Sequence, residues 1–391
     1  MIKEFLNKKS TKIVAIILFS VFFILSVLTV VSVIGYRKIF TDIKEFKQIT
    51  PTHNIQISTD DKGYTTIRNI DNNEGLNVLQ LTDLHIGCSI GTYTKDKMAF
   101  ESIYKIISNS RPDFVVVTGD LCYPFFLTLG INNKLQAQVI AEFFEQIGVY
   151  WTFNFGNHED MGLVVLNAKE LGNLFSGYEH CLFKSGEESI DGVGNYFIKI
   201  LNNDNTLNSA LVFMDSNSYL DGFGKYDKIH NNQIEWYEKN IKRLSAEYNL
   251  QTYELKTFLF IHIPLQAYSD AYNKYKNNDS SVKYIAGRFG EGICAPANKD
   301  NFFDKIVELG STKAIFCGHD HLNNGSLLYK NVLLSYGMSI DYLAYIGIHK
   351  KSEQRGGQLI KIKENNTFSL TQILEMNNYN IIENSEVMIN I

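Results

Sequence analysis

Five short apolar stretches of this 391-residue sequence each end beside a side chain that can bind a metal ion. The stretches are "LNVLQLT" (76–82), "FVVVTG" (114–119), "VYWTFNFG" (149–156), "KTFLFIH" (256–262) and "TKAIFCG" (312–318). Their lengths and their β-branched and aromatic residues are typical of buried strands. A sixth strand is predicted at 209–216, and helices are predicted at 95–110, 134–147, 162–174, 231–248 and 301–309. Strands that alternate with helices predict an α/β fold in which helices cover the sheets.

The polar side chains at these strand ends are predicted to meet in one place. Asp83 and His85 are two residues apart, so an extended backbone turns both to the same side, and the same holds for His319 and His321. The other strands deliver Asp120, Asn157 and His262. Singly, each motif is explained as well by a turn or by a hydrogen-bonded core histidine. Together they suit two metal ions that share a carboxylate, because an open α/β sheet binds ligands outside the carboxyl ends of its strands.

The ordered set "DLH", "GDL", "GNHE", "FIHIP" and "GHDH" resembles the calcineurin-like metallophosphoesterases, over roughly residues 76–340. Within that family the motifs are most similar to the purple-acid-phosphatase-like branch. The resemblance implies a four-layer α/β/β/α sandwich with a two-metal site at one edge of its sheets. By motif, it assigns one metal to Asp83, His85 and His321, the other to Asn157, His262 and His319, and the bridge to Asp120. It also implies that His158 faces the substrate and that the cofactors are two divalent ions of Mn, Fe or Zn.

The activity that this resemblance implies is hydrolysis of a small phosphorylated substrate. Two cations neutralise the phosphate, a hydroxide between them attacks phosphorus in line, and His158 protonates the departing alkoxide or stabilises its charge. A phosphomonoester is the favoured substrate. One alternative is a phosphodiesterase or pyrophosphatase that acts on a lipid or nucleotide, and another is a non-catalytic, metal-stabilised binding protein on the same scaffold. The net charge of −5, with scattered basic residues, predicts no nucleic-acid partner.

Tyr123 follows Asp120 at the third position, which is the spacing of the iron-binding tyrosine in purple acid phosphatases. Those enzymes resemble this sequence less at the first motif, where a glycine stands in place of the histidine of "DLH". Here His85 is present, and a phenolate must first lose a proton with a pKa of about 10. We therefore expect Tyr123 to lie near the metals without binding either of them.

Other residues near the motifs are less specific. Glu159 and Asp320 are interpreted either as partners that orient the histidines or as solvated loop acids. The segment "DSNSY" (215–219) either approaches the substrate or caps a turn, and the loop "YPFFLTLG" (123–130) is expected to pack rather than to line an apolar pocket. The five cysteines have no CxxC spacing and predict neither a disulfide framework nor a zinc ribbon.

The N-terminal stretch "IVAIILFSVFFILSVLTVVSVIG", residues 13–35, contains no charged residue. As a helix it can span the roughly 30 Å of hydrocarbon in a bilayer, whereas a buried core helix is rarely so uniform and a signal peptide usually has a shorter apolar region. Lysines at 3, 8, 9 and 12 precede it, against Arg37 and Lys38 behind it, so the bias favours a cytoplasmic N-terminus, although Lys44 and Lys47 weaken the asymmetry. We therefore predict a single-pass protein of the cell membrane with an extracytoplasmic catalytic domain.

The predicted organisation has five parts. They are a basic tail (1–12), a transmembrane anchor (13–35), a connector with one edge strand (36–74), a metallophosphoesterase-like domain (75–375) and a C-terminal tail (376–391). The connector assignment depends on its polar composition and on turn signals such as "DNNEG".

Overall fold

The computed structural model describes residues 2–389, apart from 72–74, 160, 163, 221–223, 352–353, 364–366 and 377–379. The helices are α1 (Ile2–Ile43), α2 (Tyr93–Ser110), α3 (Asn133–Ile147), α4 (Ala168–Phe175), α5 (Asn231–Glu247), α6 (Gln266–Lys276) and α7 (Phe302–Leu309). The strands are β1 (Ile55–Thr59), β2 (Thr65–Asn69), β3 (Leu76–Leu81), β4 (Phe114–Thr118), β5 (Trp151–Asn154), β6 (Tyr196–Leu201), β7 (Leu207–Phe213), β8 (Thr257–Phe260), β9 (Val282–Ala286), β10 (Thr312–Cys317), β11 (Ser326–Tyr329), β12 (Val332–Tyr336), β13 (Gly356–Ile362), β14 (Phe368–Met376), β15 (Asn380–Glu383) and β16 (Val387–Ile389). Single 3₁₀ turns lie at Phe126–Thr128 and Ile348–Lys350.

Two mixed sheets pack face to face. One has the strand order β1-β2-β6-β7-β8-β10-β12-β11-β9, and the other has the order β15-β14-β13-β3-β4-β5, with β16 also paired to β14. Between them, Phe258 of β8 meets Phe368 of β14 edge to face, with ring centroids 5.0 Å apart. Helices α2, α3 and α4 share a buried apolar core with the second sheet, and α5, α6 and α7 cover the outer face of the first. The predicted α/β/β/α order of layers is confirmed.

Parallel strands in both sheets end at one common edge. In one sheet β3, β4 and β5 are parallel neighbours, and in the other β7, β8, β10 and β12 are. The two edges meet, because Thr82 and Ser339 form a parallel bridge and the Gln80 side-chain amide donates to the Cys317 carbonyl at 3.0 Å. The loops that carry the five motifs therefore share this edge.

The six predicted strands correspond to β3, β4, β5, β7, β8 and β10, and the five predicted helices to α2, α3, α4, α5 and α7. The helix predicted at 162–174 begins later, at Ala168, because Asn167 caps it. The Asn167 side chain accepts from the Glu170 N–H at 3.0 Å, and the Glu170 carboxylate accepts from the Asn167 N–H at 2.9 Å. This reciprocal capping box satisfies donors that the first turn of a helix leaves unpaired.

The segments expected as a connector and a tail add strands to the sheets. Two strands, β1 and β2, extend the first sheet where one edge strand was expected, and β2 pairs in parallel with β6. At the C-terminus, β15 and β16 both pair with β14, and Ile389 of β16 is buried. Both segments are therefore parts of the two sheets. Residues 72–74, 377–379 and 390–391 of these segments lie outside the described residues.

Helix α1 is exposed over residues 11–27 and docks onto the domain with its C-terminal part. Over Thr11–Ile43 it is long and apolar enough to cross a membrane, so it is a signal anchor or a signal peptide by length and composition. Ile39 and Ile43 are fully buried against the core. The Tyr93 hydroxyl of α2 donates to Asp42 at 2.9 Å, and α1 also contacts α3. The apolar helix therefore continues directly into the folded domain.

Candidate metal centre

Backbone hydrogen bonds hold the loops after β3 and β4 in register with each other. The Asp83 N–H donates to the Gly119 carbonyl at 3.1 Å, and the His85 N–H donates to the Asp120 carbonyl at 3.0 Å. These bonds continue the parallel ladder beyond the ends of the strands. The "DLH" and "GDL" motifs are thereby fixed side by side.

Four of the candidate ligands have a left-handed backbone. The φ angles are 52° at Asp83, 47° at His85, 51° at Asp120 and 77° at His319. This conformation is uncommon for residues other than glycine and costs of order 1–3 kcal/mol at each position. Such strain concentrates at functional sites, where the surrounding structure holds it in place.

Glycines before two of the motif residues allow the loops to approach closely. A Cβ atom on Gly119 would lie 2.4 Å from His262 Nδ1, and one on Gly156 would lie 2.1 Å from Asp120 Oδ1. A side chain at either position would push a candidate ligand away. The "GD" and "GN" spacing therefore reflects close backbone packing as well as a turn.

The candidate side chains form two buried groups that share Asp120. The first group is Asp83, His85, Asp120 and His321, the second is Asp120, His262 and His319, and the candidate ligand atoms of each group lie within 4.8 Å of one another. Asp120 Oδ2 is 3.5 Å from His85 Nε2 and 3.3 Å from His262 Nε2. Asn157 joins the second group, with Oδ1 3.2 Å from His262 Nε2. The structure thus brings all seven residues together, and their individual roles as ligands stay a prediction.

Hydrogen bonds to the outer ring nitrogens orient two of the histidines. His262 Nδ1 lies 2.8 Å from the Thr118 carbonyl, which can only accept, so Nδ1 carries the proton and Nε2 faces the cluster. His321 Nδ1 lies 2.9 Å from Asp341 Oδ2, which leaves Nε2 of that ring facing the cluster as well. Metal-binding histidines characteristically donate their other N–H to a carbonyl or carboxylate in this way.

The candidate ligand atoms suit two divalent cations. Asp120 Oδ2 is buried, and no donor among the described residues forms a hydrogen bond with it. A buried carboxylate oxygen without a hydrogen bond is costly, and a cation between the two groups would supply the missing partner. Imidazole, carboxylate and amide ligands suit Mn²⁺, Fe²⁺ and Zn²⁺. The two adjacent clusters are therefore consistent with a dimetal site.

Electrostatics keep the shared carboxylate charged. Burial raises the pKa of Asp120, but His262 and His158 outweigh it and hold the pKa well below its usual range, and His321 does the same for Asp83. Burial lowers the pKa of His262, but the Asp120 charge reverses this and raises the pKa to about 9. A metal ion that binds His262 Nε2 would therefore displace a proton.

His158 lies on the open side of the cluster. Its side chain is 17% exposed, whereas those of His85 and His262 are fully buried. Nε2 lies 3.8 Å from Asp120 Oδ2, and the His158 backbone N–H donates to Asp120 Oδ1 at 3.0 Å. Burial lowers the pKa of the ring to about 4, against the opposing charge of Asp120, so the ring is neutral at pH 7. The backbone supports Asp120, and the partly exposed ring lies beside the same carboxylate.

Three tyrosines that the sequence analysis did not assign to the site surround the outer face of the cluster. The Tyr226 ring meets His319 edge to face at 4.4 Å, the Tyr345 ring stacks on His321 at 4.3 Å, and the Tyr219 hydroxyl accepts from Asn157 Nδ2 at 2.8 Å. Tyr219 is the last residue of the "DSNSY" segment. Its contact with Asn157 agrees with the first of the two interpretations of that segment, in which it approaches the site. These three tyrosines therefore contact His319, His321 and Asn157 of the cluster.

Tyr123 packs against the histidines of the site. Its ring lies 5.0 Å from His85 and 5.2 Å from His158, both edge to face, and burial together with the charges of Asp341 and Asp120 raises its pKa to about 12. A phenol that resists ionisation is a poor ligand for a divalent ion.

We predict that iron-loaded, oxidised protein lacks the visible charge-transfer band of an iron-bound phenolate. Absorption spectra of the wild type and of Tyr123→Phe should coincide. A band that is present in the wild type and lost in the variant would make Tyr123 a ligand.

Glu159 and Asp320 are buried and bind loop backbone, so both sequence interpretations of these residues were wrong. The Glu159 carboxylate accepts from the Leu121 N–H at 2.6 Å and from the Gly156 N–H at 2.9 Å. Asp320 accepts from the Cys294 N–H at 3.2 Å and from the Tyr336 hydroxyl at 2.6 Å. Each carboxylate ties one motif loop to another part of the chain.

Asp341 is the acidic partner that orients a histidine, and the sequence analysis missed it. Oδ1 accepts from the N–H groups of Leu343 at 2.6 Å and Ala344 at 2.8 Å, while Oδ2 faces His321 Nδ1. One feature of the sequence could have indicated this role. Asp341 follows β12 by a few residues, and β12 is the parallel neighbour of β10, the strand that His321 follows.

We predict that Asp341→Asn lowers metal affinity about 10- to 100-fold, the usual effect of losing such a partner. The two backbone donors hold the oxygen of the new amide, so its NH₂ group faces His321 and favours the wrong tautomer. Competition with a metal-binding dye measures the affinity. Glu145→Gln is the matched control, because Glu145 makes a similar 2.9 Å pair with His180 outside the cluster and should leave metal affinity unchanged. Equal affinity of wild type and Asp341→Asn would contradict the role.

Comparison with known proteins agrees with this architecture. The family model "Calcineurin-like phosphoesterase" matches residues 76–323, and the chain belongs to this family. "Probable inactive purple acid phosphatase 14" of Arabidopsis thaliana is 27% identical over 302 residues, covering 68% of this chain and 71% of that protein. "Probable inactive purple acid phosphatase 29" of the same plant is 26% identical over 333 residues, covering 73% and 80%. A crystal structure of a dimetal phosphatase from Danio rerio is similar with a TM-score of 0.49 and 11% identity, over 76% of this chain and 96% of that one.

Proposed function

We propose that the chain is a membrane-anchored phosphoesterase that uses two divalent metal ions to hydrolyse a phosphomonoester. The observation that carries the proposal is the pair of buried ligand groups sharing Asp120, with the outward-facing ring of His158 beside them. Bound at these groups, two cations would neutralise phosphate charge and activate a water for in-line attack. Asp83, His85 and His321 would hold one ion, and Asn157, His262 and His319 the other, with Asp120 between them.

The remaining residues position the substrate and the ligands. His158 is partly exposed beside Asp120, and the N–H of its neutral ring would donate a hydrogen bond to the leaving oxygen. Thr118 and Asp341 fix two ligand rings, which reduces the reorganisation needed when substrate binds. The rings of Tyr226 and Tyr345 pack against His319 and His321 and would hold these two rings in place.

A non-catalytic binding protein is the second candidate, because two relatives are named as inactive phosphatases. The word "inactive" describes those relatives and is not a statement about this chain. In this chain the seven candidate ligands are present and gathered, and His158 adds an outward-facing ring that a structural metal site does not require. This completeness favours catalysis.

Turnover assays separate the two candidates. Purified full-length protein would be loaded with Mn²⁺, Fe²⁺ or Zn²⁺ and assayed against matched phosphate monoesters and diesters. We expect metal-dependent turnover with monoesters preferred. Metal binding at two sites without turnover of any ester would instead support the binding protein, and a preference for diesters would move the assignment to a phosphodiesterase.

We also propose that α1 is retained as an anchor and places the domain outside the cytoplasm. The support is the excess of lysine before the apolar stretch and the packing of Ser32 and Gly35, which lie inside that stretch, against Leu129 and Ser89 of the domain, because a cleaved signal peptide would not pack on the mature domain.

We predict that protease added to intact cells digests the chain beyond about residue 36 and spares an epitope tag on residues 1–12, as the positive-inside rule implies. Immunoblotting follows both parts, and permeabilised cells provide the control for accessibility of the tag. Protection of the domain in intact cells would reverse the topology, and absence of the tag from the mature chain would show cleavage.

A further inference from the structure

Three large apolar side chains are exposed on the two loops beside the metal centre. Ile90 is 47% exposed, Leu127 is 69% exposed and Leu129 is 42% exposed. Ile90 lies on the loop that leaves His85, and the two leucines lie on the loop that leaves Asp120. We call these three side chains the apolar rim. The expectation that the "YPFFLTLG" loop packs down holds for buried Tyr123 but not for Leu127 and Leu129.

Helix α1 docks directly onto the loops that carry the rim. Its buried positions, Leu28, Ser32, Gly35, Ile39 and Ile43, recur every three or four residues and so form one face. The Ser32 hydroxyl lies 3.5 Å from the carbonyl of Leu129. Gly35 approaches the backbone of Ser89, because a Cβ at Gly35 would lie 2.4 Å from Ser89 Cα.

The length of α1 places this contact at the surface of a bilayer. About 20 helical residues cross the roughly 30 Å of hydrocarbon, so a span that begins at Ile13, where the uncharged stretch begins, ends near Ser32. Ser32 and Gly35, which contact the two loops, lie at that end of the span. The exposed Arg37 and Lys38 come next along the helix, at the depth of the lipid headgroups.

The loops connect the rim to the metal centre without a flexible linker. The Gln136 side-chain amide donates to the Gly87 carbonyl at 2.9 Å, and it also lies within bonding distance of the Tyr123 and Gly130 carbonyls, at 3.3 and 3.4 Å. The Phe125 ring lies 5.5 Å from the Tyr123 ring, which in turn contacts His158. The loop that carries Leu127 and Leu129 therefore also places the aromatic rings of Tyr123 and Phe125 beside His158.

We propose that the apolar rim inserts into the bilayer surface beside α1 and that the substrate is a phosphate monoester of a lipid in that same bilayer. The proposal rests on the proposed phosphatase function and specifies its substrate class. A lipid whose tail remains among the rim side chains would present its phosphate toward His158 and Asp120. A soluble phosphate ester offers the same headgroup chemistry, so the experiment must separate the two sources.

The test compares lipid-borne and soluble monoesters with the full chain in lipid nanodiscs. The probes are dioleoyl phosphatidic acid in the disc and glycerol 3-phosphate in solution. We expect faster turnover of the lipid, and we expect the triple variant Ile90→Ser, Leu127→Ser and Leu129→Ser to lose it by about tenfold while turnover of the soluble ester stays within about twofold. The control replaces Ile70, Tyr253 and Ile382, which are similarly exposed outside the rim, by serine and should leave both rates unchanged.

Fluorescence quenching tests insertion without relying on activity. Leu127→Cys in a Cys294→Ser background would carry an environment-sensitive dye, because Cys294 is the exposed member of the five free cysteines. Nitroxide-labelled lipids should quench this dye, and should not quench the same dye at Tyr253→Cys. Absence of quenching at residue 127, or quenching without preference for the lipid ester, would overturn the proposal. If no ester is turned over at all, the phosphatase assignment fails, and the quenching result still decides whether the rim inserts.

Discussion

Asp120→Asn is expected to abolish phosphoesterase activity and to reduce metal content at both sites while the protein stays folded. The reason lies in the two carboxylate oxygens. Oδ1 accepts the His158 N–H and would remain an oxygen in the amide, so the new NH₂ group would take the place of Oδ2 between His85 and His262. A donor would then point at the position where two cations need a shared acceptor, and two-metal catalysis requires that acceptor.

Asp113→Asn is the matched control for this substitution. Asp113 precedes the strand β4 that Asp120 follows, and its buried carboxylate accepts from the Asn77 and His53 N–H groups at 2.8 Å. Removing this charge is expected to cost about 1–3 kcal/mol of stability and to leave turnover and metal content intact. Elemental analysis, thermal unfolding and initial rates measure the three quantities. An active Asp120→Asn protein with two bound metals would refute the two-metal assignment.

The sequence predicted the centre of the fold well because two patterns coincide there. Strands such as β3 and β4 are short, mostly apolar runs, and a residue of a metal-binding type follows each of them within two positions. Since parallel strands end at one edge, a linear pattern was sufficient to bring Asp83 and Asp120 together. The left-handed backbone at these residues was not visible in the pattern, since only the folded loops impose it.

Other features could not be predicted because they depend on partners far apart in sequence. Asp341 looks like any loop acid until the sheet places it beside His321. Helix α6 is a short and largely polar segment, yet its buried Tyr268 hydroxyl donates to the Ile315 carbonyl at 2.7 Å, which fixes the helix by tertiary contact. The docking face of α1 was hidden for a different reason, because a uniformly apolar stretch gives no sign of which side packs on protein and which side faces lipid.

His158→Ala is expected to lower kcat by roughly 10² to 10⁴ with both metals still bound, the usual range for removing a group that assists proton transfer. Alanine keeps the backbone N–H that supports Asp120, so the substitution removes only the ring on the open side of the site. The defect should depend on the leaving group, since an alkyl alkoxide needs a proton or a hydrogen bond at departure whereas a nitrophenolate does not.

The measurement is therefore kcat for an alkyl and a nitrophenyl phosphate, with metal content determined on the same samples. His180→Ala provides the control, because His180 lies outside the cluster and pairs with Glu145, and it should change neither rate. A merely structural role for His158 would lower both rates by the same factor. Loss of a metal in His158→Ala would instead make the ring a ligand, and an unchanged kcat on the alkyl ester would remove it from the reaction. A large defect confined to the alkyl ester would tie the outward-facing ring to the leaving group, because only that step distinguishes the two substrates.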